Sequence, residues 1–203
     1  MTNLKFGKEV DKILKTISDE MPLANITAWD LNPFMPYLHN WRKNIIFLEC
    51  DRVAIDSIVE RLSNDYPTYE IYAGIKKPIL KIRLNSKEAA IVIIAREGKN
   101  RREVDGKYPK LEKCLVDLLF YAKNELLPIS LRDILDLWRH YLTTEEPLRF
   151  NELYRYSIRR YLGWFVSILA YEMSKKAKLN IDSRHYKTGS KNLELIKMVV
   201  QFE

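Results

Sequence analysis

Hydrophobic positions form helical stripes near both ends of the chain and short runs between them. Phe6, Val10, Ile13, Leu14, Ile17 and Met21 share one helical face, so residues 4–20 are predicted to open the chain as an amphipathic helix that ends at Met21-Pro22. Residues 25–31 (NITAWDL) read as a strand, after which Pro33 and Pro36 enforce an irregular connection. Asn44 to Glu49 is a buried strand, and Asp51 is the expected N-cap of a short helix carrying Ile55, Ile58, Val59 and Leu62. Two more strands follow, at 69–73 and 78–84. The second alternates, with Leu80, Ile82 and Leu84 inward and Lys81 and Arg83 outward. Ala89 to Ala95 is apolar without interruption, as a central strand covered on both faces should be.

After Ala95 the period changes. Residues 96–107 are a charged loop, and from Pro109, suited to a first helical turn, only helices are expected. Leu111, Cys114, Leu115, Leu118, Leu119 and Ala122 make the core face of the first, while Lys110, Lys113 and Asp117 share the other side. There Lys113 and Asp117, four apart, read as a solvated ion pair. Ser130 with Asp133 resembles a capping box for a second helix, with apolar positions Leu131, Ile134, Leu135, Trp138 and Leu142. A third is expected to start at an Asn151 N-cap and run unbroken past Ala170, apolar nearly all round over 162–173, which offers a surface for a homodimer. The fold class is therefore α/β (α+β): a mixed sheet of about five strands within residues 25–95, then a helical C-terminal half. The expected division is 1–107 and 108–203, packed as one globular unit.

The net charge of +7 is uneven, at −3 over residues 1–73 and +6 over 74–107. The basic stretch contains Lys76, Lys77, Lys81, Arg83, Lys99, Arg101 and Arg102, but few aromatics to stack on bases, so any nucleic-acid binding should be weak and made through phosphates. Cys50 and Cys114 both lie in apolar segments and are expected as free buried thiols. No apolar run approaches the roughly 20 residues of a membrane span and no signal peptide leads the chain, so the expected location is cytoplasmic.

Catalytic patterns are missing. His39, His140 and His185 have no metal-ligand spacing, and there is no GxSxG elbow, phosphate-binding loop or GxGxxG. Gly189-Ser190 lacks the acid pair a nucleotidyltransferase would place after it. The residual enzymatic reading is a metal-dependent nuclease using Glu49, Asp51, Glu103, Asp105 and Lys107. Its acids are expected not to converge, so no catalytic residue, metal or cofactor is assigned.

Several blocks resemble a known family: Trp29, Phe34-Met35 and His39; Phe47-Leu48-Glu49; Pro109 to Leu119 (PKLEKCLVDLL); and Arg155 to Arg160 (RYSIRR), similar to an RYAxRR pattern with Ser157 in place of alanine. Over roughly residues 25–170 the chain resembles the AbiEi-like antitoxins of type IV toxin–antitoxin (abortive infection) systems. Those typically begin with a winged helix-turn-helix, for which this sequence has no room, so repression of its own promoter is not implied. The resemblance implies a non-catalytic antitoxin-like or regulatory protein that counteracts a nucleotidyltransferase-like toxin, without necessarily forming a stable complex with it. Glu112, Lys113, Asp117, Arg155, Tyr156, Arg159 and Arg160 are the candidate interaction residues. Arg155 and Arg159, on one helix side, are the preferred working face; the competing reading pairs them with Glu112 or Asp117. The alternative functions are a nuclease-type enzyme and a simple basic nucleic-acid-binding module.

Overall fold

The computed structural model describes residues 4–39, 44–73, 89–96, 104–105, 107–124, 126–127, 129–143 and 148–167. The strand expected at 78–84 and the terminal NLELIKMVVQF element lie outside them. In chain order the elements are α1 (Lys8–Glu20), β1 (Thr27–Asp30), β2 (Asn44–Cys50), α2 (Ile55–Asp65), β3 (Tyr69–Ala73), β4 (Ala89–Ala95), β5 (Val104–Asp105), β6 (Tyr108–Pro109), α3 (Leu111–Lys123), α4 (Leu131–Thr143) and α5 (Phe150–Arg159). They form two compact units, one from residues 2–110 with 124–129, the other from 111–123 with the chain from Ser130 onward.

The first unit is built on a mixed four-stranded sheet in the order β1-β2-β4-β3. β1 runs antiparallel to β2, whereas β2 and β3 both run parallel to β4. β4 is thus an interior strand with parallel neighbours on both sides, which is why Ala89 to Ile93 are buried without alternation. α1 and α2 lay Val10, Ile13, Leu14, Ile17, Ile58 and Leu62 on one sheet face, against Ala28, Ile46, Leu48, Cys50, Ile91 and Ile93. On the other face Trp29 stacks on its cross-strand neighbour Phe47 at 4.4 Å and meets Phe34 edge-on at 6.2 Å, so these three residues of the early resembling blocks form one aromatic cluster.

α1 starts later than its apolar stripe, at Lys8, because its first turn is held from outside. The fully buried Asp30 carboxylate ends β1 and accepts four hydrogen bonds: Oδ2 from the Gly7 amide (3.0 Å), Asn32 Nδ2 (2.7 Å) and Asn44 Nδ2 (3.0 Å), and Oδ1 from the Asn32 amide (3.3 Å). Gly7 is the N-cap and has no side chain of its own to satisfy the helix start, so Asp30 does it from the next element. A Cβ on Gly7 would stand 2.4 Å from Asn32 Nδ2 and 2.6 Å from Asp30 Oδ2. Both groups belong to the network, so admitting a methyl there means disturbing its hydrogen bonds. Gly7→Ala is therefore expected to lower stability by about 1–3 kcal/mol in a urea titration; an unchanged midpoint would mean that the network yields without loss.

The segment before α3 departs from expectation. Residues 104–105 and 108–109 pair as a short antiparallel ladder, so Pro109 ends a strand and the helix begins at Leu111. Lys107 O accepts from the Ala28 amide (3.2 Å) on the outer edge of β1, and Lys107 Nζ donates to Ser18 (2.7 Å). Tyr108 stacks on Phe6 and bonds Asp11 through its hydroxyl, which ties the ladder to α1. That hydrogen bond and then burial push the Tyr108 hydroxyl up to about 12. Asp51 precedes a turn of 3-10 helix without a side-chain cap, and α2 follows from Ile55. Cys50 and Cys114 are buried free thiols.

Candidate functional site

Every residue of α3 from Leu111 to Leu119 is buried, the charged ones included. The helix has Glu112 in its first turn and Lys123 in its last, each on the favourable end of the dipole. The expected solvated side does not exist. Lys113 is 6% exposed and Asp117 2%, and Lys113 Nζ lies 2.7 Å from Asp117 Oδ2. The reason is a third charge: Arg160, just past α5, sets Nε at 2.8 Å and Nη2 at 2.7 Å from Asp117 Oδ1, with its guanidinium 4.9 Å above the Phe120 ring. Burial alone would raise the Asp117 carboxyl, but the Lys113 and Arg160 charges and their hydrogen bonds outweigh it and hold the group below its usual range.

Glu112 makes the other end of the clamp. Its Oε1 accepts from the backbone amide of Arg149 at 3.0 Å, and Arg149 is the N-cap residue of α5. α5 therefore starts at Phe150, one residue before the expected Asn151 cap, under a carboxylate borrowed from α3. α4 carries its expected cap, with Ser130 Oγ accepting from the Asp133 amide at 3.0 Å.

α5 does not run on. It ends at Arg159 in a six-residue turn: the Leu162 amide donates to Ser157 O at 2.7 Å and the Tyr161 amide to Ile158 O at 3.0 Å. This is a Schellman motif, and its left-handed position is Tyr161 with φ 55°, where glycine is usual. A new helical stretch follows at residues 163–167. A Cβ on Gly163 would sit 3.0 Å from Ile158 Cγ1, so the Ile158 side chain would have to give way to it. Ser157, in the alanine position of the RYAxRR-like pattern, is fully buried, and its hydroxyl donates to Tyr154 O at 2.6 Å.

The candidate residues thus separate. Glu112, Lys113, Asp117 and Arg160 come together inside the helical unit. Tyr156 is buried too, its hydroxyl donating to Glu152 at 2.9 Å and pushed up to about 12 by burial first and that bond second. Arg155 stays two-fifths exposed, 3.5 Å from Glu152 on its own helix and over the Tyr156 ring. Arg159 is exposed. Asp117 takes Arg160, not Arg155 or Arg159, which the wheel of one continuous helix could not reveal. Lys76, Lys77, Lys81, Arg83, Lys99, Arg101 and Arg102 lie outside the described residues, as do Glu103 and the second half of the 162–173 helix. Of its first half, Leu162, Phe165 and Val166 are buried.

Chemically the site is a lock. The Asp117 carboxylate is held ionised by two cations that donate to it and is a poor base; Lys113 is buried, and the Arg160 side chain is 27% exposed. Among the described residues no group of three or more His, Cys, Asp or Glu could hold a metal ion, and Lys107 is directed to Ser18. No helix among the described residues is long and apolar enough to cross a membrane. The comparison that decides family membership is a family model covering residues 3–167. The chain belongs to a family of unknown function, DUF6577. The DUF6577 match takes in every helix and strand named above, the lock included. No curated protein and no solved structure matches the chain.

Proposed function

We propose that this DUF6577 protein is a non-catalytic, antitoxin-like regulatory protein of a type IV toxin–antitoxin (phage-defence) system, opposing a nucleotidyltransferase-like toxin in the cytoplasm. The observation that carries the reading is that the two C-terminal blocks of the resemblance, PKLEKCLVDLL and RYSIRR, are joined in space by the buried Lys113–Asp117–Arg160 network. Residues far apart in sequence but similar to the same family serve one structural purpose here. A charged signature that is largely buried and hydrogen-bonded within itself suits a scaffold for a binding surface better than a reactive centre.

The test is co-expression with a nucleotidyltransferase-like protein encoded in the adjoining gene. Growth arrested by that protein alone should resume when this chain is supplied. Continued arrest at equal expression, or Mg²⁺- or Mn²⁺-dependent cleavage of RNA or DNA by the purified chain, contradicts the reading.

A further inference from the structure

The sequence from Phe150 to Ser167 reads as one helix, yet the structure breaks it at a turn that its own residues disfavour. Tyr161 holds the left-handed position with φ 55°, a conformation that costs every residue but glycine, and it is 87% exposed, so little packing offsets that cost. What the turn achieves is a change of face. At about 3.6 residues per turn, a straight helix would carry Leu162, Phe165 and Val166 along the half-exposed Ile158 side, opposite the buried Leu153, Tyr156 and Ser157. With the turn in place, Leu162, Phe165 and Val166 are buried instead. The arm they belong to, residues 162–167, also sets the Trp164 ring 5.3 Å from Lys123 Nζ at the end of α3. Arg160, at its root, is latched to Asp117.

Straightening α5 in a single chain would bring three large apolar side chains into water. Straightening it in two chains that exchange arms buries them again, because a second copy offers the same seats. We propose that residues 160–162 are a hinge, and that the chain has a second, dimeric form in which α5 runs straight and the arm from Leu162 onward seats on the helical unit of a second copy, whose own arm fills the vacated place. The occupant is fixed by the fold itself, since the segment that fills those sites in one chain fits them equally in the other. The two forms therefore differ mainly at the hinge. Exchange removes two left-handed tyrosines and adds helical hydrogen bonds; against it stand the lost independent motion of two chains and a glycine, Gly163, inside each straight helix. Opening must also break the Arg160 bonds to Asp117, so the two forms interconvert slowly. This second form is independent of the function proposed above.

Tyr161→Ala and Tyr161→Gly test the hinge together, because both remove the exposed ring and only glycine relieves the left-handed position. The full chain and each variant are refolded from urea at high protein concentration and separated by size-exclusion chromatography with light scattering, circular dichroism confirming the fold. The parent is expected to give separate monomer and dimer peaks, each keeping its size when it is rerun without delay. Tyr161→Ala should keep or enlarge the dimer fraction, since alanine retains the left-handed penalty and is the better helix former. Tyr161→Gly should lower the dimerisation constant by roughly a hundredfold, about tenfold for each of the two hinges. A parent and Tyr161→Ala that stay monomeric throughout would overturn the proposal. So would a dimer that both variants weaken alike, which makes the ring its contact, or one that neither variant changes. A dimer peak that falls back to monomer as soon as it is rerun would also overturn it, because that is association of two surfaces and not exchange of an arm.

Discussion

Asp117→Ala is expected to destabilise the protein by about 3–5 kcal/mol, measured by urea denaturation at neutral pH, because it leaves Lys113 buried and Arg160 without its carboxylate. The pair separates from an ordinary helical ion pair on this point, since a solvated one would cost only a few tenths of a kcal/mol to break. The pH dependence has a definite sign. The folded carboxyl lies below the usual carboxylate range, so its contribution is fully present above the unfolded value and is lost as pH falls through the folded one. Loss below 1 kcal/mol would mean that Lys113 reaches water without Asp117.

Asp30→Ala should have the second-largest effect, about 2–4 kcal/mol. That is less than four lost hydrogen bonds added together, because Asn32 is exposed and Asn44 half-buried, so their amides can turn towards water. Asp30 titrates the other way from Asp117. Burial raises its carboxyl and four hydrogen bonds from neutral donors only partly offset that. Its raised folded value makes its ionisation contribution fully present below the unfolded value and lost as pH rises through the folded one. Stability–pH curves of the two alanine variants, each subtracted from the parent's, should therefore slope in opposite directions on the acid side. Parallel slopes would show that one of the carboxylates has been assigned the wrong electrostatic partners.

Much of the sheet was readable from the chain because its strands are buried runs with clear ends. β2, β3 and β4 fall within a residue of their expected bounds, since Asn44-to-Glu49 and Ala89-to-Ala95 could only be covered on both sides. Strand order was not readable: β4 inserts between β2 and β3, a matter of long-range pairing that no local pattern encodes. The β5–β6 ladder is two residues a side, too short for a period to show.

The helical half misled for two physical reasons. The break after Arg159 has Tyr161 where a stop signal would have glycine, so RYSIRRYLGWF reads as one helix; the available hint was Gly163, two positions late. Once the helix is taken as continuous, Arg160 points away from its neighbours and its bond to Asp117, 43 residues earlier, is invisible. The burial of Lys113 and Asp117 follows from that bond and could not be found before it. Leucines at helical spacing identify one covered face of a helix, not the second face covered by an arriving cation.

In the function proposed above, the charged signature of α3 and Arg160 is a support and does not itself carry out the function. The most direct measurement replaces the whole lock by apolar groups of similar size, Lys113→Met, Asp117→Leu and Arg160→Met together, in the co-expression assay, with circular dichroism confirming the fold. Exchanging a buried charge network for well-packed apolar side chains is often neutral or stabilising. The triple variant is predicted to fold and to restore growth as the parent does. A triple variant that folds with parental stability yet no longer restores growth would contradict the account, because the charges themselves would then be carrying the function.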